Sequence, residues 1–178
     1  LETYLKQSIY KLLVMKDSYH HEMAEKLDGK LERMSVVYYK RNGKWVQGWK
    51  PGQPPKYPFV RASGGMISTA LDYAVFCQMY LNGGIYDGKR ILKKESVKLL
   101  TTPHTALLYS HSEKAKQEHF YGYGWRVYPD GVFAHSGSDG TAAWVDPNNQ
   151  LIVLAFTQSP AGSKLRDRFF KFVQLAIE

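Results

Sequence analysis

Apolar side chains at Leu1, Leu5, Ile9, Leu12 and Leu13 fall on one arc at 3.6 residues per turn, which predicts an amphipathic helix over residues 1–13. Residues 18–31 are polar and predict a loop that opens on His20-His21. Residues 32–49 read as a hairpin. The β-formers of 34–40 make one strand, Asn42-Gly43 a type I′ turn, and Trp45-Val46 the return. Four prolines in 51–58 predict extended, loop-like chain. Thr69 followed by Asp72 resembles a capping box, with Asp in place of the usual Glu. The helix it opens runs to about Leu81, where Asn82-Gly83-Gly84 stops it. Asp87-Gly88 predicts a tight turn, 93–100 a short helix, and 104–119 a polar loop.

The second half alternates differently. Residues 121–128 read as one strand ended by Pro129-Asp130-Gly131, and 132–135 as the next. Residues 141–145 and 151–157 flank Asp146-Pro147-Asn148-Asn149, a turn in which proline fixes φ and asparagine tolerates left-handed backbone. A terminal helix starts near Gly162. Leu165, Phe169, Phe172, Val173 and Ala176 line one side of it, and Lys164, Asp167, Arg168 and Lys171 the other. Three consecutive antiparallel strands followed by a helix predict an α+β fold, an antiparallel sheet packed by helices that include the C-terminal one. No internal repeat is visible.

Composition narrows the class. With 178 residues, 44% hydrophobic and 14% aromatic, the chain is rich enough for a real core, which excludes disorder. No apolar run reaches membrane-spanning length. The net charge of +8 suits an anionic partner or a solvated surface. The Lys and Arg residues are scattered, densest at Lys89-Arg90 with Lys93-Lys94, without the interleaved aromatics of a single-strand binder. A nucleic-acid partner is therefore not expected. Cys77 is the one cysteine. It cannot form an intrachain disulfide, and its apolar helical setting predicts a core thiol.

Metal chemistry has no foothold, because no two histidines are four apart on a helix and neither HExxH nor CxxC occurs. No metal or other cofactor is expected, and the histidines read as surface loop residues. No G-x-S-x-G elbow exists. Ser8-Ile9-Tyr10-Lys11 matches S-x-x-K, but twelve serines and seventeen lysines produce about one such match by chance. His135-Ser136-Gly137-Ser138 is different in kind. It sets a titratable ring, a hydroxyl and flexible backbone at the end of a strand, where polar chemistry against a hydrophobic sheet calls for a reason.

Several segments carry a resemblance in order. They are 62–76 (Ala-Ser-Gly-Gly-Met-Ile-Ser-Thr-Ala-Leu-Asp-Tyr-Ala-Val-Phe), Tyr121-Gly-Tyr-Gly-Trp125, His135-Ser-Gly-Ser138, Thr141-Ala-Ala-Trp-Val-Asp-Pro147 and Phe156-Thr-Gln-Ser159. Together they resemble the serine β-lactamase-related hydrolases: class C β-lactamases, penicillin-binding peptidases and allied esterases. Residues 12–18 (Leu-Leu-Val-Met-Lys-Asp-Ser) are similar to that family's P-L-G-M-x-D-T segment, with Leu12 and Val14 in place of Pro and Gly.

The resemblance implies that 1–178 is the C-terminal part of one β-lactamase-like domain. Residues 1–61 would form a helix, loop and hairpin region, and 62–178 helices, sheet and terminal helix. The family's catalytic S-x-x-K and Y-x-N precede the segment matched at 12–18, so their counterparts would lie upstream of Leu1, and Ser8-Lys11 does not replace them. His135-Ser136-Gly137 matches the K-T-G or H-x-G motif of the sheet's edge strand. It implies that His135 hydrogen-bonds and tunes protonation, that Ser136 and Gly137 hold substrate, and that the Ser138 N–H forms half of an oxyanion hole. The implied substrate is a small ester, amide or peptide, and the implied compartment periplasmic or extracellular. The missing upstream segment, or a homodimer, would cover the exposed apolar face. The alternative is a non-catalytic module of the same fold recognising cell-wall glycopeptide through Trp45, Trp49 and Trp125.

Overall fold

The computed structural model describes residues 1–20, 29–53, 62–114, 116–160 and 163–177. The chain divides into two compact units that interleave along the sequence. One holds Leu1–Tyr73, Ser138–Thr141 and Ala155–Glu178, the other Ala74–Gly137 and Ala142–Leu154.

The first unit opens with a helix that changes its winding. Helix α1 (Glu2–Leu5) passes into a π-helical turn over Lys6–Tyr10, closed by Lys11 N–H donating to Lys6 O at 2.9 Å. A π turn holds one extra residue and rotates everything after it. From the turn onward the buried positions are Tyr10, Leu13 and Met15 while Leu12 is exposed; ahead of it Glu2 is buried and Leu1 exposed, so the expected arc fails at both ends. Burial, and then the Glu2 carboxylate, push the Tyr10 hydroxyl up to about 12. Val14, where the resembling segment has glycine, sits at φ 57°. For a β-branched residue that left-handed backbone is an outlier, with a cost of about 1–2 kcal/mol.

Strand β1 (Tyr19–His20) lies within the stretch expected to be loop, and a 3₁₀ turn spans Lys30–Arg33. His20 is therefore not a surface loop histidine. It is buried, with Nδ1 2.5 Å from Glu2 Oε2. His21 lies outside the described residues. The hairpin forms as β2 (Tyr38–Arg41) and β3 (Lys44–Gln47), with Arg41 opposite Lys44 and Asn42-Gly43 at φ 49° and 78°, the two positive values of a type I′ turn. β2 starts four residues later than the β-formers suggested. Of the proline-rich stretch, only Pro51–Gln53 is described.

Strand β4 (Met66–Ile67) pairs antiparallel with β1. Helix α2 (Ala70–Leu81) is capped as predicted on one side of the box: Thr69 Oγ1 accepts from the Asp72 N–H at 3.1 Å. The other half is redirected. Asp72 Oδ2 accepts from Asp17 N–H at 2.8 Å and Ser18 Oγ at 2.9 Å, and Ser18 and Ser68 hydroxyls meet at 2.7 Å. Two family-like segments some 50 residues apart are thus joined through one carboxylate.

In the second unit, Gly83 and Gly84 (φ 59° and 91°) end α2, and Gly84 N–H donates to Met79 O at 2.8 Å. Strands β5 (Ile85–Tyr86) and β6 (Lys89–Arg90) close over Asp87-Gly88, and α3 (Lys94–Leu100) follows. Residues 104–119, expected to be loop, contain a 3₁₀ turn over His104–Leu108 and a short helix α4 (His111–Lys114). The single strand expected at 121–128 is instead two, β7 (Phe120–Tyr121) and β8 (Arg126–Val127), paired antiparallel. Gly122-Tyr123-Gly124 turns the chain between them, with Gly124 at φ 85° and Gly122 N–H donating to Trp125 O at 2.8 Å.

Strands β9 (Phe133–Ser136), β10 (Thr141–Asp146) and β11 (Leu151–Phe156) complete a five-stranded sheet of order β11-β10-β9-β8-β7. Each β10 residue from Ala142 to Asp146 is buried, whichever face it points to. Tyr80 of α2 packs edge-on to Trp125 at 5.5 Å and against Phe133 at 5.8 Å, and Trp125 meets Phe133 at 5.0 Å. Trp125 is core, not a contact surface. Cys77 is fully buried, and burial pushes its thiol up to about 12, so it is inert.

The chain ends, in the first unit, with α5 (Ser163–Ile177). Its amphipathic pattern holds but its exposure reverses expectation. Leu165, Phe169, Phe172 and Leu175 are exposed, while Arg166, Phe170 and Val173 are half-buried. Of the stripe expected to face the core, Leu165, Phe169, Phe172 and Ala176 meet solvent and Val173 is half-buried.

Candidate functional site

The four residues singled out in the sequence sit where strand β9 ends. Phe133 and Ala134 are buried, His135 is exposed and Ser136 half-buried. The change of environment follows from sheet register. On one side β9 pairs along its length with β10: Phe133 with Val145, Ala134 with Trp144, His135 with Ala143, Ser136 with Ala142. On the other side β8 is two residues long and pairs only with Phe133 and Ala134. The expectation of an edge strand is therefore corrected. β9 is third of five strands, but its last two residues have left β8 behind and are paired on one side only.

The short β7-β8 ribbon brings two further groups to His135. The Tyr121 and His135 rings lie edge to face with centroids 6.4 Å apart, and Arg126 Nε donates to Tyr121 Oη at 2.9 Å. Partial desolvation of the ring, and then the Arg126 guanidinium, hold the His135 imidazole below its ordinary value, opposed by a contact with the Ser136 backbone. The ring is open to solvent yet flanked, which favours its neutral form at neutral pH. The sequence pattern did not single out Arg126. The signal for it was the cross-strand position opposite Ala134, which needed the β7-β8 turn to be recognised.

Gly137 follows β9. Ser138 belongs to the first unit and lies in an exposed turn, where neither its N–H nor its hydroxyl has a hydrogen-bond partner among the described residues. In that unit Gly140 adopts φ 101°. Any Cβ there would lie 2.3 Å from Ser159 O, and Thr157 Oγ1 donates to Gly140 O at 2.7 Å. Glycine is required where the chain returns from this turn. Ser8 lies in the π turn and Lys11 follows it, with no hydrogen bond between them among the described residues. A cavity of about 360 Å³, lined by Lys98, Thr101, Pro103, Phe120, Val127 and Tyr128, opens elsewhere in the second unit and includes none of His135, Ser136 and Gly137. Among the described residues no group of three His, Cys, Asp or Glu side chains could hold a metal.

The family model for beta-lactamase matches residues 1–176. The chain belongs to the beta-lactamase family. Protein Rv1367c of Mycobacterium tuberculosis is 31% identical in a 157-residue alignment that covers 68% of this chain and 38% of that protein. Among solved structures, a LovD6 mutant of simvastatin synthase from Aspergillus terreus superimposes with a TM-score of 0.69 at 17% identity, over 89% of this chain and 44% of the other. EstCE1, a hydrolase with promiscuous acyltransferase activity, gives 0.64 at 16% identity over 89% and 45%. A penicillin-binding protein homologue from Caulobacter crescentus gives 0.58 at 20% identity over 89% and 46%. The chain thus has the α+β architecture of the beta-lactamase and transpeptidase fold, and it spans less than half the length of these relatives.

Proposed function

We propose that this chain is the C-terminal portion of a serine acyl hydrolase of the beta-lactamase family and carries its His-Ser-Gly wall. The observation that carries the proposal is the half-paired end of β9. His135 and Ser136 are held in register by β10 while leaving the strand's other side without a ladder partner from β8. An extended substrate can lie along such a side. Gly137 has no side chain to obstruct it, and Ser136 offers a hydroxyl to its polar groups. His135, disposed to be neutral, can accept or share a proton with a reacting hydroxyl near neutral pH. The Ser138 N–H, without a partner among the described residues, is the donor for the oxyanion of a tetrahedral intermediate, an interaction worth about 3 kcal/mol to a transition state.

In this reading the attacking serine, its lysine and the tyrosine come from a segment upstream, and the substrate is a small ester, amide or peptide. The exposed stripe of α5 supports that reading, because four large apolar side chains open to water are a face that a further segment or a second copy covers. The glycopeptide-module alternative retains Trp45, which is 57% exposed, but loses Trp125 to the core.

The test is covalent labelling. The chain alone takes up neither a fluorophosphonate nor a penicillin. The longer protein carrying upstream S-x-x-K and Y-x-N motifs takes up one equivalent at the upstream serine, and loses rate when His135→Ala is introduced. Stoichiometric labelling of this chain at Ser8 or Ser136 overturns the proposal.

A further inference from the structure

The β2-β3 hairpin is set apart from the rest of the first unit. Every residue of β3 is exposed and so is every residue of β2 except Tyr39, so side chains on both faces meet solvent. Two faces are open at once: Tyr38, Lys40, Trp45 and Gln47 share one, Tyr39, Arg41, Lys44 and Val46 the other. Tyr38, Trp45 and Val46 are 45%, 57% and 41% exposed. A two-stranded ribbon is marginal in water without a surface to bury against. Among the described residues its backbone is tied at the base, by Val37 N–H to Trp49 O at 2.9 Å, Gly48 N–H to Val37 O at 2.7 Å and Tyr38 N–H to Gln158 O at 2.9 Å.

Charge supplies the second observation. Residues 34–71 contain six basic side chains and no Asp or Glu, so this one stretch accounts for +6 of the net +8, while Arg33 just before it is paired with Asp17 at 3.0 Å. The basic residues are not crowded; the acids are missing. Within the hairpin, Lys40, Arg41 and Lys44 surround the turn and form no ion pair among the described residues. The ribbon thus grades from a cationic tip to an aromatic and aliphatic stem.

We propose that the Tyr38–Gln47 hairpin docks on an anionic phospholipid surface. Lys40, Arg41 and Lys44 at and beside the tip meet the headgroup charge, and Trp45, paired with Lys40 and adjacent to Lys44, sets its ring among the headgroups, where amphipathic rings are favoured. Exposure of both faces decides between this and a nucleic-acid strand. A nucleic-acid strand stacks along one face of a platform, whereas headgroups surround the tip of a ribbon that enters their layer and meet the basic side chains on both faces. The inference is independent of the acyl-transfer reading.

Co-sedimentation with large unilamellar vesicles tests it, using phosphatidylcholine alone and phosphatidylcholine with about 30% phosphatidylserine. The protein sediments with the anionic vesicles and not with the neutral ones. At about fivefold per basic side chain, Lys40→Glu with Lys44→Glu lowers partitioning at least 25-fold. Trp45→Ala lowers it without changing charge. The control Lys93→Glu with Lys94→Glu makes the same change in net charge on exposed residues elsewhere, and alters partitioning less than about threefold in salt that screens long-range attraction. The proposal is overturned by absence of anionic-vesicle binding, by equal loss in the control, or by retention on a single-stranded oligonucleotide without vesicle binding.

Discussion

Two hairpins of this protein each carry strong turn residues and meet opposite fates. β2-β3 turns on Asn42-Gly43 and stands in solvent; β10-β11 turns at Asp146-Pro147-Asn148-Asn149 and begins in a strand buried from Ala142 to Asp146. In the second, Asp146 Oδ1 accepts from the N–H groups of Asn148 and Asn149 at 2.8 and 3.1 Å, and Oδ2 from Asn149 Nδ2 at 2.7 Å. The contrast teaches that turn chemistry places a hairpin in the sequence, while the neighbours on its faces decide whether it becomes core or surface.

The comparison sharpens under substitution. Val145→Ala removes two methyls' worth of fully buried surface and leaves a void, so it lowers unfolding free energy by about 2–3 kcal/mol in urea titration. The matched Val46→Ala in the exposed hairpin costs under about 0.5 kcal/mol. Near-equal losses would mean the two hairpins are not differently supported. Asp146→Ala deletes three acceptor bonds, two of them to backbone that water can reach again, and lowers stability by about 2 kcal/mol. Gly43→Ala forces a side chain onto φ 78° and costs about 1 kcal/mol, read as a shift in thermal midpoint.

The smallest expected effect concerns the end of β9. The folded-state His135 value lies below the unfolded one of about 6.5, so the unfolded chain binds the proton more readily. Above about pH 6.5 the ring is neutral in both states and contributes no pH dependence. As pH falls below that, stability declines until pH has passed through the folded value. His135→Gln therefore flattens the acid side of the stability–pH profile, and an unchanged slope shows that the ring is not perturbed.

Sequence pattern served the local features well. The Asn42-Gly43 and Asp87-Gly88 turns, the Thr69 cap, the glycine stop after α2 and the α5 periodicity each rest on a few adjacent residues whose backbone preferences are strong. It failed where distant neighbours decide. The π turn that rotates Tyr10 inward, the pairing of Tyr19-His20 with Met66-Ile67, and the division of 121–128 into β7 and β8 all depend on partners far along the chain or on a turn carried by Gly124. For the candidate site, His135-Ser136-Gly137-Ser138 was legible because a polar run at a strand end is anomalous. Tyr121 and Arg126 beside it were not, since only sheet register brings them there.

The amino-acid order by itself determined the hairpin turns, the ends of α2 and α3, the buried thiol of Cys77 and membership of a family, because these follow from side-chain sterics and a recognisable series of motifs. Tertiary structure alone decided which apolar stripes are covered, that β9 outruns β8 at His135, and that the Asp72 carboxylate reaches back to Asp17 and Ser18. The physical reason is range. Backbone preference acts over a handful of residues, whereas burial, register and the electrostatics around an imidazole depend on what lies across a few ångströms of space from anywhere in the chain.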